Sequence, residues 1–251
     1  MATSFAQAVR RPVLPPPAAA ETGTFHSLFC SRPAETLDAN EVLFWEGDPA
    51  AHLFEIESGC LRFYKLMSDG RRAITGFMFP GEILGVSFKD RYLFTAEAVN
   101  EVKLKRYART QMHESLARMP GLGREVLALA CDELSAAQDQ MLLLGRKTAQ
   151  EKIASFLLTV ARRMSKDGAP AREIELPMAR LDMADFLGLT IETVSRVLTK
   201  LKNEGLIALP SPHHISLCQM SGLRRIAGIG EQELASHAPV QRTVRGAVWP
   251  T

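Results

Sequence analysis

LDMADFLGLTIETVSRVLTKLKNEG, Leu181 to Gly205, contains two helical patterns with three residues between them. An apolar-periodic run, Leu181–Leu187, stops at Gly188-Leu189-Thr190, and a second run continues to Glu204 and is closed by Gly205. Two helices joined by so short a turn, with Gly at the break, have the pattern of a helix-turn-helix. In the second helix Val194, Val197, Leu198 and Leu201 recur at i, i+3, i+4 and i+7 and form one apolar stripe. Glu192, Ser195, Arg196 and Thr199 share that spacing on the opposite face. Thr190 is placed to cap the helix, and Glu192 suits its positive end.

That polar face has the groups needed to read base edges. Arg bonds bidentately to guanine O6 and N7, Glu accepts from cytosine N4, and Ser serves either neighbour. Any amphipathic helix has a polar face, so Glu-x-x-Ser-Arg alone carries little weight. The preceding helix and the tight turn give it a DNA-reading context. Glu192, Ser195 and Arg196 are the expected base readers. Thr190, Thr193, Thr199 and Lys200 are secondary or backbone candidates.

Outward from this unit, Glu173–Pro177 reads as a short strand leading into the first helix. Leu206–Leu209 and Ile215–Leu217 flank Pro210-Ser211-Pro212-His213-His214, which reads as a β-hairpin wing. His213 and His214 are turn residues first and contacts to the DNA backbone second. Upstream, an expected helix from Arg146 to Lys166 has a core face of Ile153, Phe156, Leu157, Val160 and Ala161. Its cations Arg146, Lys147, Lys152, Arg162, Arg163 and Lys166 read as a solvated face. Further upstream, a helix over roughly Pro120–Leu144 carries Leu127, Ala130, Leu134, Ala137, Met141 and Leu144 in alternating steps of three and four, with Gly145 as its punctuation. This is a heptad seam, and its narrow stripe fits pairing with a twin helix better than packing on its own domain. Leu127, Leu134, Met141 and Leu144 are the expected homodimer seam.

Before that helix the texture is β. Val42–Trp45, Leu53–Ile56, Leu61–Met67, Ala73–Phe79, Leu93–Val99 and Val102–Tyr107 are short β-branched or aromatic runs separated by turn dipeptides, Asp69-Gly70 being the strongest hairpin signal. Such spacing predicts a small antiparallel barrel or roll. The fold class is therefore α+β: a β-roll over 25–118, a dimerisation helix over 119–145 and a winged helix-turn-helix over 146–230. A Pro- and Ala-rich arm, 1–24, is expected to be disordered, and 231–251 is a tail of no evident pattern.

Composition narrows the function. With 251 residues, 46% hydrophobic and 23% charged, the chain has the length for two modest cores and the balance of a soluble protein. No run reaches the length of a membrane span, and the N-terminus lacks an apolar export region, so a cytoplasmic protein is expected. Residues 146–225 hold 13 Lys+Arg against 8 Asp+Glu, whereas 1–145 hold 15 against 18. A basic second part fits phosphate contact. Cys30, Cys60, Cys131 and Cys218 are scattered, with no zinc spacing and none of the bunching of iron–sulfur ligands, so no metal or cofactor is expected. No Gly-rich phosphate loop, nucleophile elbow or HExxH motif is present, which argues against an enzyme.

The order β-roll, long helix, basic helix and winged helix-turn-helix resembles the CRP/FNR superfamily of bacterial transcription regulators over roughly residues 25–230. Its most specific stretches are DQMLLLGRKTAQEKIA, ending at Ala154, and Leu181–Leu206, both similar to the FNR and FixK branches. The resemblance implies that Glu192, Ser195 and Arg196 read a TTGA-like half-site, and that RNA polymerase is a partner in activation. Cys30 stands alone where oxygen-sensing relatives carry a cysteine cluster. Gly81-Glu82 and Gly85 match the opening of a cyclic-nucleotide phosphate cassette, but Arg91 is followed by Tyr92, not Ser. Gly81, Glu82 and Arg91 are therefore expected to form a vestigial effector pocket. The FixK-like branch, which uses neither device, matches best. The resulting expectation is a homodimer that binds palindromic double-stranded DNA without an effector. The alternatives are a cyclic-nucleotide-gated regulator, or a cyclic-nucleotide-binding protein acting on a protein partner.

Overall fold

A computed structural model of the chain describes residues 24–86, 89–165 and 170–229. The arm ahead of Thr24, the tail from residue 230 onward, Lys166 and the loop 167–169 lie outside the described residues. The fold is α+β: an antiparallel roll, two successive helices and a three-stranded, helix-rich C-terminal part.

One 3₁₀ turn, Phe25–Leu28, is followed by the roll. Its strands are β1 (Ala34–Leu37), β2 (Val42–Phe44), β3 (His52–Ser58), β4 (Leu61–Leu66), β5 (Arg72–Met78), β6 (Ile83–Leu84), β7 (Thr95–Ala98) and β8 (Val102–Ala108). They make two antiparallel sheets, β1-β8-β3-β6 and β2-β7-β4-β5. The Asp69-Gly70 hairpin forms as expected: Gly70 takes φ 80°, and its amide donates to Met67 O at 2.9 Å between β4 and β5. Two strands escape the sequence reading. In β1, Ala-Glu-Thr-Leu is exposed or half-buried throughout, and β6 is only two residues long.

The aromatic interior of the roll is closely stacked. Phe44 lies on Tyr92 at 3.6 Å between ring centroids, Phe94 lies edge-on to Phe44 at 5.6 Å, and Phe63 meets Phe94 at 5.0 Å. The Tyr92 hydroxyl donates to His52 O at 2.9 Å, so the one polar tip in this stack is satisfied. Burial pushes that phenol above its ordinary pKa.

After β8 comes α1 (Arg109–Arg118), a helix the sequence reading left inside the roll, and then α2 (Pro120–Arg146). Gly145 does not break α2; the helix ends at Lys147, whose extended backbone leads into Thr148. An exposed helical Gly costs about 1 kcal/mol, which a long helix tolerates. The stop comes from the next helix's cap: Thr148 accepts from the Glu151 amide, and Glu151 accepts from the Thr148 amide at 2.6 Å. This cap holds the Glu151 carboxyl below its usual range.

Helix α2 has two apolar faces. Leu122, Val126 and Leu129 are buried on the roll with Phe25, Phe29, Tyr107 and Met112. Leu127, Leu134 and Met141 remain 65%, 60% and 65% exposed, with Leu144 at 43%. One apolar row of α2 thus packs on its own domain, and a second stays exposed.

Helix α3 (Ala149–Arg163) is corrected in extent and in character. Lys152 is buried and donates to Leu187 O at 3.1 Å, and Lys147, just before the helix, donates to Ser155 Oγ at 2.8 Å and Ala227 O at 2.9 Å. Arg163 pairs with buried Glu82 of the roll. At least Lys147, Lys152 and Arg163 of the described cations expected on a solvated face are thus structural. Spacing alone does not reveal this, because the partners come from remote elements.

The C-terminal part continues with β9 (Glu173–Glu175), α4 (Arg180–Leu187), α5 (Ile191–Asn203), β10 (Ile207–Ala208), β11 (His214–Leu217) and α6 (Met220–Ala227). Sheet β10-β11-β9 is the wing. One apolar cluster joins Ile153, Phe156 and Leu157 of α3 to Val194, Leu198 and Leu201 of α5, and extends to Cys60, Ile74 and Phe77 of the roll. The helix-turn-helix is thereby seated on the β-roll through a shared core.

Candidate DNA interface

Helix α4 ends at Gly188 in the left-handed conformation (φ 60°, ψ 45°), and the Leu189 amide returns to Ala184 O at 2.9 Å. Thr190 then caps α5: its extended backbone (φ −89°, ψ 155°) turns its hydroxyl toward the Thr193 amide, 3.2 Å away. Val194, Leu198 and Leu201 are buried beneath the helix, with Val197 half-buried. Glu192, Ser195, Arg196, Thr199 and Lys200 are exposed on the opposite side, so the sequence-predicted readers lie along one face.

The state of each group follows from its neighbours. Glu192's own amide, the Thr190 hydroxyl and Arg196 hold its carboxyl below the usual range, which keeps it an ionised acceptor. Arg196 is exposed, and among the described residues its side-chain hydrogen bond is a long one, to Thr193 Oγ1 at 3.4 Å. Thr199 donates to Ser195 O at 2.9 Å, which occupies its proton but leaves its oxygen lone pairs available. Lys200 is tied back to Gln150 Oε1 at 2.8 Å, with Glu204 at 3.8 Å, so it is a less free cation than its exposure implies.

In the wing the two histidines differ. The His213 ring holds Leu176 O at 2.9 Å, and the His214 ring sits 3.0 Å from Ser211 Oγ. Both remain exposed at the loop beside α4. One cation was missed by the sequence reading. Arg180, at the first turn of α4, reaches only Pro212 O at 3.5 Å, and its other terminal nitrogen is buried with no partner among the described residues. Burial lowers its pKa, so the guanidinium is short of compensation on the face shared with the wing. A single Arg opening a helical run gives no sequence signal; only its orphaned donor does.

The expected effector residues each have partners of their own within the protein. Gly81 takes φ 83° at a turn, with its amide on Ile56 O at 2.8 Å. The Glu82 carboxylate points inward, accepting from the Phe79 amide at 3.0 Å, Arg163 Nε at 2.8 Å and Arg163 Nη2. Arg91 is exposed and donates to Gly47 O at 2.6 Å. Glu82 thus serves the joint with α3, and Arg91 serves a loop. Gly85 is needed for a close approach: at φ 89° an added Cβ would lie 2.7 Å from His52 O.

Residues 151–226 match the Crp-like helix-turn-helix domain, and residues 34–119 match the cyclic nucleotide-binding domain. Nitrogen fixation regulation protein FixK of Azorhizobium caulinodans is 44% identical over 206 residues, covering 78% of this chain and 83% of that protein. The chain belongs to the CRP/FNR family, in its FixK-like branch. Transcriptional activatory protein AadR of Rhodopseudomonas palustris is 43% identical over 169 residues, 67% of this chain and 71% of that one. Among solved structures, FixK2 from Bradyrhizobium japonicum superposes with a TM-score of 0.73 at 34% identity, covering 78% of this chain and 96% of that one. As a CRP/FNR family member the chain is a DNA-binding transcription regulator, and these relatives are regulators, not enzymes. Among the described residues, no helix is long and apolar enough to cross a membrane, and no group of three or more His, Cys, Asp or Glu side chains could hold a metal ion.

Proposed function

We propose that the protein is a homodimeric activator that reads a near-palindromic, TTGA-like operator without a bound effector. The observation that carries this reading is the exposed, unobstructed face of α5, with Glu192, Ser195 and Arg196 in a row. In the complex these three contact base edges. Thr190, Thr193, Thr199, Lys200, His213, His214 and Arg180 lie toward the sugar–phosphate backbone, where they set register without carrying sequence.

The exposed row Leu127, Leu134, Met141 and Leu144 on α2 supports the dimer, because large apolar side chains repeating at heptad spacing bury against a symmetry mate. Two recognition helices about 34 Å apart then fall in successive major grooves. Effector independence is supported by the stacked Phe44, Tyr92, Phe94 and Phe63 rings and by the engagement of Glu82 with Arg163. Activation has RNA polymerase as its partner.

The test is selection of bound duplexes from random DNA with purified protein, followed by Arg196→Ala on the selected site. The substitution is expected to cost roughly 1–3 kcal/mol on the operator and little on random DNA, as for loss of a bidentate guanine contact. An equal loss on both would make Arg196 a phosphate contact only. The match of residues 34–119 to the cyclic nucleotide-binding domain favours a second reading, a cyclic-nucleotide-gated regulator. Tight binding of cyclic AMP or cyclic GMP in calorimetry would replace the effector-free reading with that one.

A further inference from the structure

The first helix of the helix-turn-helix is held at both ends by side chains from outside its own domain. Near the N-terminal end of α4, Asp182 is buried, its side chain only 4% exposed. It accepts from Arg72 Nη2 of β5 at 2.6 Å and from Arg62 Nη1 of β4 at 3.3 Å. Arg62 also pairs with Glu97 of β7 and donates to Asn40 Oδ1 at 3.0 Å. Arg72 lies 3.5 Å from Asp185, one turn along α4. The row Glu97, Arg62, Asp182, Arg72, Asp185 therefore alternates in sign from the roll into the DNA-binding part. At the C-terminal end, Phe186 O accepts from Gln140 Nε2 of α2 at 3.2 Å, and Leu187 O accepts from Lys152 of α3 at 3.1 Å. Between the two ends, the Phe186 ring packs edge-on against Phe77 of the roll at 5.5 Å and tilts against Phe156 at 5.7 Å.

Such a network fixes orientation more than it adds stability. Desolvating five charges offsets most of their attraction, but separating them leaves buried charge unmatched. The alternating row is satisfied at one placement of α4. Helix α5 follows α4 after three residues and shares its core, so the seat of α4 sets where the reading face lies relative to the exposed row on α2. We propose that Arg62 and Arg72 of the β-roll are positioning residues for operator recognition, acting through Asp182 on the separation and tilt of the two recognition helices in the dimer. This inference rests on the reading of α5 as base-contacting and α2 as the dimer seam.

The physical consequence concerns half-site spacing. A dimer with fixed heads binds one spacing well; loosened heads must be ordered on each binding event and reach altered spacings more easily. Contacts to random DNA need no fixed separation and depend on phosphates alone. The experiment measures affinity of the full chain for the selected operator, for the same operator lengthened at its centre by about two base pairs, a turn of roughly 70° between half-sites, and for random duplex. The proteins are wild type, Arg72→Gln, Arg72→Lys and Asp182→Asn. Arg72 is the milder site, its side chain being 24% exposed. In Asp182→Asn the amide oxygen can still accept from the Ala179 amide, as the carboxylate does at 3.2 Å.

Wild type is expected to prefer the native spacing. Arg72→Gln and Asp182→Asn lower that preference by about tenfold, the size of an ordinary inter-site coupling, with affinity for random duplex unchanged. Arg72→Lys, which keeps the charge, restores part of the preference. The preference is a ratio at one concentration of active protein, so partial unfolding of a variant does not alter it. An unchanged ratio in both Arg72→Gln and Asp182→Asn would overturn the positioning role and leave the reading of α5 intact. Wild-type protein that retains no operator at all would overturn both.

Discussion

Arg163→Met tests how firmly the DNA-binding part is joined to the β-roll. The guanidinium reaches Glu82 through two nitrogens, one at 2.8 Å, donates to Phe77 O at 2.7 Å and lies 4.8 Å from the Phe79 ring centroid. The Glu82 side chain is 3% exposed and that of Arg163 15%. Methionine keeps the stem packed on Phe79 but removes every donor. Among the described residues Glu82 then retains only the Phe79 amide at 3.0 Å, and Phe77 O loses its Arg163 partner. Breaking one side of a buried pair costs about 3–5 kcal/mol; the surviving amide and the partial exposure of Arg163 put this case near the lower figure. Adding Glu82→Gln removes the stranded charge while Gln can still accept from the Phe79 amide. The double variant should recover about 2 kcal/mol, within the usual range for coupled neighbours. Urea midpoints followed by circular dichroism at constant m-value measure both. If the single and double variants lose the same stability, Glu82 carries no buried charge that depends on Arg163, and the account of this joint fails.

If the proposed dimer pairs through α2, Leu134→Glu should convert it to monomer in sedimentation without unfolding it. Leu134 is 60% exposed in the single chain, so its change costs the monomer about 0.5 kcal/mol at most, whereas a pair of lost leucine anchors weakens association by roughly 4 kcal/mol, about a thousandfold; sedimentation like wild type would place the seam elsewhere. Cys60 is fully buried and burial pushes its thiol far above the ordinary range, so iodoacetamide at mildly alkaline pH should label exposed Cys30 and Cys218 in native protein, and Cys60 only in urea. Labelling of native Cys60 at the rate of Cys30 would mean that the core joining roll and helix-turn-helix opens readily.

What the sequence made legible was whatever local spacing dictates. Gly188 and Gly205 both take positive φ where the two helical runs stop, and Thr190 caps α5 because an N-cap needs only a hydroxyl three residues ahead of its amide. The Asp69-Gly70 turn and the apolar stripe Val194, Leu198, Leu201 belong to the same class. What stayed hidden was set by partners far along the chain. Strand β1 has no apolar alternation to announce it; it exists because β8 offers a free edge, Ala34 to Leu37 pairing with Lys105 to Val102. Lys152 and Arg163 read as part of a solvated helix face, and Arg62 and Arg72 carry no signal in their strands, because nothing within ten residues reveals Leu187 O, Glu82 or Asp182 waiting for them.

Glu82 shows how the same residue changes meaning with its surroundings. Beside Gly81 its position in sequence matches the opening of an effector cassette. In the fold the carboxylate is buried and taken up by Arg163, the last residue of α3. On the proposed effector-free reading, Glu82 is engaged in the joint between roll and helix-turn-helix by Arg163, and that joint closes without a small molecule. On that same proposal, Tyr92 rather than Ser after Arg91 and the pairing of Glu82 with Arg163 fit one arrangement, in which the chain itself supplies the coupling across this interface. Replacing Glu82 should on this argument disturb operator binding through the joint, and adding cyclic nucleotide should not restore it.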